Sequence, residues 1–138
     1  MEKRYYFDTS IWLDFLENRN EPNFPKGNRV EELIRKITAS DSRIVWSGAI
    51  MDELSIQRAD QEKIEYSIDF LKNILIFVEC TDRQWRRARD LSSRREVPLF
   101  DALHALIARD WKATIVTRDK HFEKLTDIVK YEKPEDLI

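Results

Sequence analysis

Residues 98–122 read PLFDALHALIARDWKATIVTRDKHF, and the order of structure within this stretch decides the fold. Pro98 just before Leu99 suits the start of a helix, because a proline fixes φ without wasting a needed N–H. The helix is predicted over Pro98 to Trp111. Phe100, Leu103, Leu106 and Ile107 form its apolar body, and Asp101, His104, Ala105 and Ala108 share another side. Thr114 to Thr117 is then a short β-branched run that predicts a strand, with Asp119 two residues beyond its end. A helix feeding a strand is half of a βαβ unit, and the remaining sequence repeats that alternation. Arg4 to Phe7 reads as the first strand, Arg43 to Trp46 as the second, Ile74 to Val78 as the third and Ile128 to Tyr131 as an edge strand. Between them, Val30, Leu33, Ile34 and Ile37 repeat at i, i+3, i+4 and i+7 and predict a helix over Arg29 to Ala39. Ile64, Ile68 and Leu71 predict another, as do Trp85, Ala88 and Leu91, while Thr9 or Ser10 is expected to cap a helix carrying Ile11, Trp12 and Phe15. Asn20 to Gly27, with Pro22, Pro25 and Gly27, reads as a loop. The expectation is a three-layer α/β/α sandwich around a mostly parallel sheet of four or five strands.

Composition sets the outer limits. A chain of 138 residues that is 42% apolar is expected to form one domain spanning 1–138 with its own core. Its 24 basic and 26 acidic residues leave a formal charge of −2, which neither demands nor excludes a polyanionic partner, so the distribution of charge must decide. Asp8 and Asp14 break the first apolar stretch, which therefore does not read as a secretory signal, and no run approaches a membrane span. Cys80 is alone, so it makes neither an internal disulfide nor a zinc site, and a cytoplasmic location is expected.

Four acids stand where this fold would gather them. Asp8 ends the first strand and Asp119 follows the fourth, so both are expected at the carboxyl edge of the sheet, where open α/β sheets place their ligands. Glu53 and Asp101 lie in the early turns of helices, whose N-terminal ends lie at that same edge. Carboxylates crowded together repel unless a cation lies between them, and oxygen ligands suit a hard divalent ion. Any one of these acids alone is more simply a solvated or capping residue, and capping is the competing explanation for Asp8 and Asp119.

The order FDTS at 7–10, MDEL at 51–54, DALHALIAR at 101–109 and IVTRDKHF at 115–122 resembles the PIN-domain nucleases, and among them the short VapC-like toxins of toxin-antitoxin systems. The resemblance covers essentially the whole chain. It implies a metal-dependent endoribonuclease in which Asp8, Glu53, Asp101 and Asp119 hold Mg²⁺ or Mn²⁺, the last of them as ligand or as the group that orients attacking water. It also implies an RNA substrate, a cognate antitoxin protein and a homodimer. Thr9 and Thr117 are candidates to hydrogen-bond the carboxylates from behind. Trp12, Phe15, Leu16 and the Arg29 to Ala39 stripe are candidates for an antitoxin groove, with core packing the simpler reading.

Arg83, Arg86, Arg87, Arg89, Arg94 and Arg95 crowd the helix and loop that lead into Pro98. Arg86, Arg87, Arg94, Arg95 and, beside Asp119, Arg118 are the candidates to grip substrate phosphates, with Arg86 and Asp90 spaced to pair at i, i+4. His104 reads as a neutral histidine packed on its helix and His121 as part of a solvent-facing turn. Competing folds fit less well. A haloacid-dehalogenase-type phosphatase needs an acid where Ser10 stands, and in a receiver-like phosphoacceptor the lysine would not directly follow the acid as Lys120 follows Asp119. A processing nuclease of the same fold and a non-catalytic RNA-binding PIN domain remain as alternatives.

Overall fold

The computed structural model describes residues 2–138, and the five strands among them form one sheet in the order β3-β2-β1-β4-β5, with every neighbouring pair parallel. The strands are β1 (Lys3–Phe7), β2 (Ser42–Ser47), β3 (Leu75–Val78), β4 (Thr114–Val116) and β5 (Tyr131–Glu132). The edge strand expected over Ile128 to Tyr131 therefore begins three residues later. Ile128 and Val129 instead close a turn by donating to the Leu125 carbonyl, which leaves Tyr131 and Glu132 to pair with Ile115 and Val116.

The helices are α1 (Thr9–Leu16), α2 (Lys26–Thr38), α3 (Gly48–Ile56), α4 (Gln61–Leu71), α5 (Asp82–Arg95) and α6 (Leu99–Asp110), with 3-10 turns at Lys120–Leu125 and Pro134–Asp136. None is long and apolar enough to cross a membrane. Parallel connections are right-handed, so the links that step from β1 to β2 to β3 put α1 to α4 on one face, and the link that returns across the sheet from β3 to β4 puts α5 and α6 on the other. The result is the expected three-layer sandwich. It also fixes a switch point between β1 and β4, whose onward connections leave in opposite directions.

Both layers are filled. Eight consecutive residues of α6, Asp101 to Ala108, are buried, because α6 is covered by α5 on one side and packs on β1 and β4 on the other. Asp101 and His104 are thus both buried, and neither lies on an open helix face. On the opposite layer Trp12 is wholly buried, 4.8 Å edge-on to Trp46 and 5.1 Å from Phe7, so it belongs to the core. Phe15 and Leu16 are half-buried.

Candidate metal centre

The strand ends build one wall of the site. Val116 O accepts a hydrogen bond from Asp8 N at 3.1 Å, which carries the β1–β4 pairing up to the switch point. Beyond it, Asp8 is the N-cap of α1, as its competing reading had it, in place of Thr9 or Ser10: Asp8 Oδ1 accepts from Ile11 N at 3.1 Å and from Ser10 Oγ at 2.6 Å. The carboxylate is short enough to reach N3 while the backbone remains extended, and this leaves Thr9 inside the first turn with its hydroxyl directed at Glu53. Thr117 Oγ1 donates to Asp8 Oδ2 and accepts from Asp119 N at 3.0 Å, so one hydroxyl ties the two strand ends together. Asp119 caps the following 3-10 turn through Oδ1, which accepts from His121 N at 2.8 Å. For both aspartates, capping and membership of the acid cluster coexist.

The helices build the other wall. Asp101 enters from the first turn of α6 and Glu53 from α3, and together with Asp8 and Asp119 they line a cavity of about 260 Å³. Among the described residues, the only lysine or arginine that lines it is Arg19, whose guanidinium is drawn 2.6 Å onto Glu17. Asp101, Asp119 and His121 each offer one ligand atom within 4.8 Å of the others. His121 Nδ1 is 2.8 Å from Asp119 Oδ1 and 3.4 Å from Asp101 Oδ2, so this half-exposed histidine faces the acids and does not simply end a turn in solvent. The local signal was its spacing from Asp119: two residues into a 3-10 turn, a side chain comes back over its cap.

Charge crowding leaves a mark on the titration of the site. Asp101 is pushed up to about 8, first by burial and then by the charges of Asp119, Asp8 and Glu53. Its Oδ2 is buried and accepts no hydrogen bond from the described residues. Such an oxygen costs free energy unless a donor or a cation reaches it, and it is aimed at the neighbouring acids, so the donor set fits a hard divalent cation. Asp8 is also raised, by burial, against three hydrogen bonds that favour its charged form. Glu53 is lowered, because His104 and Thr9 together outweigh the effect of its burial.

His104 explains the behaviour of Glu53. Its ring is buried, with Nε2 2.8 Å from Glu53 Oε1 and Nδ1 2.6 Å from the Tyr6 hydroxyl, which lies 2.6 Å from Ser47 Oγ. A carboxylate only accepts, so Nε2 carries the proton. Burial holds the Tyr6 phenol protonated beside Nδ1. The chain runs unbroken from Ser47 to Glu53, and the histidine orients a carboxylate. Tyr6 carried no sequence signal beyond its strand position, and Ser47 lies one residue past the second strand expected from the sequence.

The match to a family model settles the class of protein. Residues 5–128 match the model of the PIN domain. The chain belongs to the PIN-domain family. No curated protein matches it by sequence. Solved structures of similar fold include VapBC-1 from nontypeable Haemophilus influenzae (17% identity over 95% of this chain and 98% of that one, TM-score 0.66) and Mycobacterium tuberculosis VapC20, a sarcin-ricin loop cleaving toxin (15%, 91% and 97%, 0.65). VapBC2 from Rickettsia felis, bound to a DNA fragment of its promoter, is similar at 19% identity, 94% and 98% coverage and a TM-score of 0.63.

On this PIN domain the arginines divide. Arg118, expected to hold substrate phosphate, is committed inside the protein: its side chain is 15% exposed, 2.7 Å from Asp14 and 3.2 Å from Glu135, and its guanidinium lies 5.0 Å over Phe24. Successive side chains at a strand end leave on opposite sides, which sends Arg118 away from the cavity that Asp119 lines. Arg95 is held by both oxygens of Asp127 at 2.6 and 2.9 Å. Asp90 pairs with Arg87 at 3.3 Å and Arg94 at 2.9 Å, and not with Arg86, the partner expected from the i, i+4 spacing.

Proposed function

We propose that this PIN domain is a divalent-metal-dependent endoribonuclease and the toxin of a toxin-antitoxin pair. The observation that carries the reading is the convergence of Asp8, Glu53, Asp101 and Asp119 on one cavity at the switch point, with Asp101 Oδ2 buried there without a hydrogen bond. Asp101, Asp119 and Glu53 would hold the cation, with Asp8 behind them and His121 as a further donor. The acids suit Mg²⁺ or Mn²⁺, and the imidazole nitrogen of His121 is easier for Mn²⁺ to accept. A bound cation would neutralise charge growing on the scissile phosphate and make an adjacent water easier to deprotonate. His104 and Thr9 keep Glu53 ionised and oriented, and Thr117 orients Asp8 and favours its charged form against burial.

RNA as substrate is supported by the likeness to VapC20, a toxin that cleaves the sarcin-ricin loop, and an antitoxin partner by the likeness to the VapBC complexes. A homodimer and a cytoplasmic location belong to the same reading. The direct test is cleavage of a labelled RNA by the purified protein with Mn²⁺ or Mg²⁺. We expect cleavage to stop with chelator and in Asp8→Asn and Asp101→Asn; undiminished cutting by both variants would falsify the site assignment. Co-purification of a small protein encoded beside this chain, with loss of RNA cleavage when it is bound, is the result expected for a toxin.

A further inference from the structure

A cavity of about 800 Å³ lies between α5 and α6 and is walled by Arg83, Arg86, Arg87 and Arg109, with Leu106 and Asp110. Its charge is not cancelled from within. Asp110 is shared between Arg109, at 3.0 Å, and Gln84, at 2.9 Å, and Arg87 leans 3.3 Å onto Asp90, but Arg83 and Arg86 make no ion pair among the described residues. Both are exposed. This separates them from Arg94, Arg95 and Arg118, each of which is held by a carboxylate.

The cavity lies at the C-terminal end of α6, and side chains of α5 extend from it toward the Asp101 end. Arg86 lines a second hollow of about 300 Å³ together with Asp82, Trp85 and Arg89, and the Arg89 guanidinium lies 5.9 Å over the Trp85 ring. Trp85 packs edge-on against Phe100 at 6.0 Å, and Phe100 is the residue before Asp101. Along α6, Asp101 and Arg109 are eight residues apart, or about 12 Å of helix axis. Aromatic rings interleaved with unpaired guanidinium groups, leading away from a cluster of acids over a few nucleotides' length, are the composition of a track for a single nucleic-acid strand. A duplex would not offer its bases to Trp85.

We propose that this cavity holds the backbone phosphates of single-stranded RNA on one side of the cut, with Arg83 and Arg86 as the phosphate-binding groups, Arg109 on the facing wall and Trp85 beneath the intervening base. The inference rests on the ribonuclease reading and extends it to residues that do not touch the metal centre. Because the grip is to phosphate, it acts through counterion release. Neutralising one phosphate-binding arginine should lower the dependence of log affinity on log salt by about 0.7 for a single strand.

The test measures binding of a fluorescent single-stranded RNA octamer in chelator, over a series of salt concentrations, beside steady-state cleavage of the same octamer in Mn²⁺. The expected result for the double variant Arg83→Gln/Arg86→Gln is an affinity loss of about tenfold, a salt slope shallower by about 1.4, and a raised KM with kcat within twofold of wild type. Arg94→Gln, already paired with Asp90, should bind as wild type does. Both replaced arginines are exposed, and an unchanged melting temperature confirms that the variant is folded. If the double variant binds and cuts like an active wild type, the cavity does not hold RNA and only this inference is lost. Unchanged RNA affinity with an altered sedimentation profile would also overturn it, by making the cavity a contact between protein chains. A wild type that neither binds nor cuts RNA would remove the ribonuclease reading as well.

Discussion

Two groups of buried and half-buried acids lie on either side of the β4 end, and they solve the same electrostatic problem in opposite ways. On one side Asp14 and Glu135 close around Arg118, whose side chain is 15% exposed and adds a hydrogen bond to the Lys26 carbonyl at 3.4 Å. On the other, Asp8, Glu53, Asp101 and Asp119 face one another with Arg19 turned aside to Glu17 and the half-exposed His121 2.8 Å from Asp119. Burial raises Asp14 even against the pull of Arg118, Lys26 and Arg19, whereas Asp101, with carboxylates for neighbours, is pushed to about 8. A protein that buries acids for structure supplies the counter-charge from its own chain. One that buries them without it leaves the counter-charge to come from solution.

The contrast can be broken most severely at Asp101. Asp101→Asn should lower cleavage at least a thousandfold, about 4 kcal/mol of barrier, and abolish Mn²⁺ binding in calorimetry while the protein stays folded. Next in size, Arg118→Met should cost about 3–5 kcal/mol of stability and about 10–20 °C in Tm, because Asp14 is left buried and charged. Adding Asp14→Leu to that variant should recover part of the loss, and Mn²⁺ affinity should change little in either. The same destabilisation at both clusters would erase the distinction between them.

A pH series sharpens it further. In chelator the native state keeps the Asp101 proton up to about pH 8, while the unfolded chain releases it near the ordinary carboxylate value of 3.8. The native state therefore binds more protons between those limits, and stability falls as pH rises through them. Asp8, also raised, acts in the same direction and Glu53, lowered, in the opposite one. We expect the Tm of wild type to fall across this range by on the order of 5 °C more than that of Asp101→Asn, with the difference removed by saturating Mn²⁺. Identical slopes for the two proteins would show that Asp101 is ionised in the empty site. The smallest effect is expected at His121, where His121→Ala should weaken Mn²⁺ about tenfold and leave the melting temperature in chelator unchanged.

Much of this architecture is written in local patterns. The alternation of β-branched runs with helical stripes is a direct trace of which faces are buried, so four of the five strands and the positions of the acids at one sheet edge follow from it. What the pattern does not carry is direction at chain reversals. Tyr131 and Glu132 form too short a strand to show a period, and Ile128 and Val129, which look the part, are spent in a turn. Arg118 and Asp119 are neighbours in a polar segment, and nothing local states that one points to Asp14 and the other to the cavity. His104 is legible as a packed histidine. Its link from Tyr6 to Glu53 spans residues far apart in sequence, which only the folded sheet brings together.

The segment Thr117, Arg118, Asp119 sends three consecutive side chains to three destinations: Thr117 to Asp8, Arg118 to Asp14 and Glu135, and Asp119 to the cavity. The spacing of these residues from β4 therefore carries more information than any of their identities. Substitution changes one destination, but deletion of a single residue here rotates all three assignments at once, setting a guanidinium among the site acids and a carboxylate against Asp14. The same reversal of charge would strike catalysis and stability together, so natural variation at this turn should conserve its length before its letters.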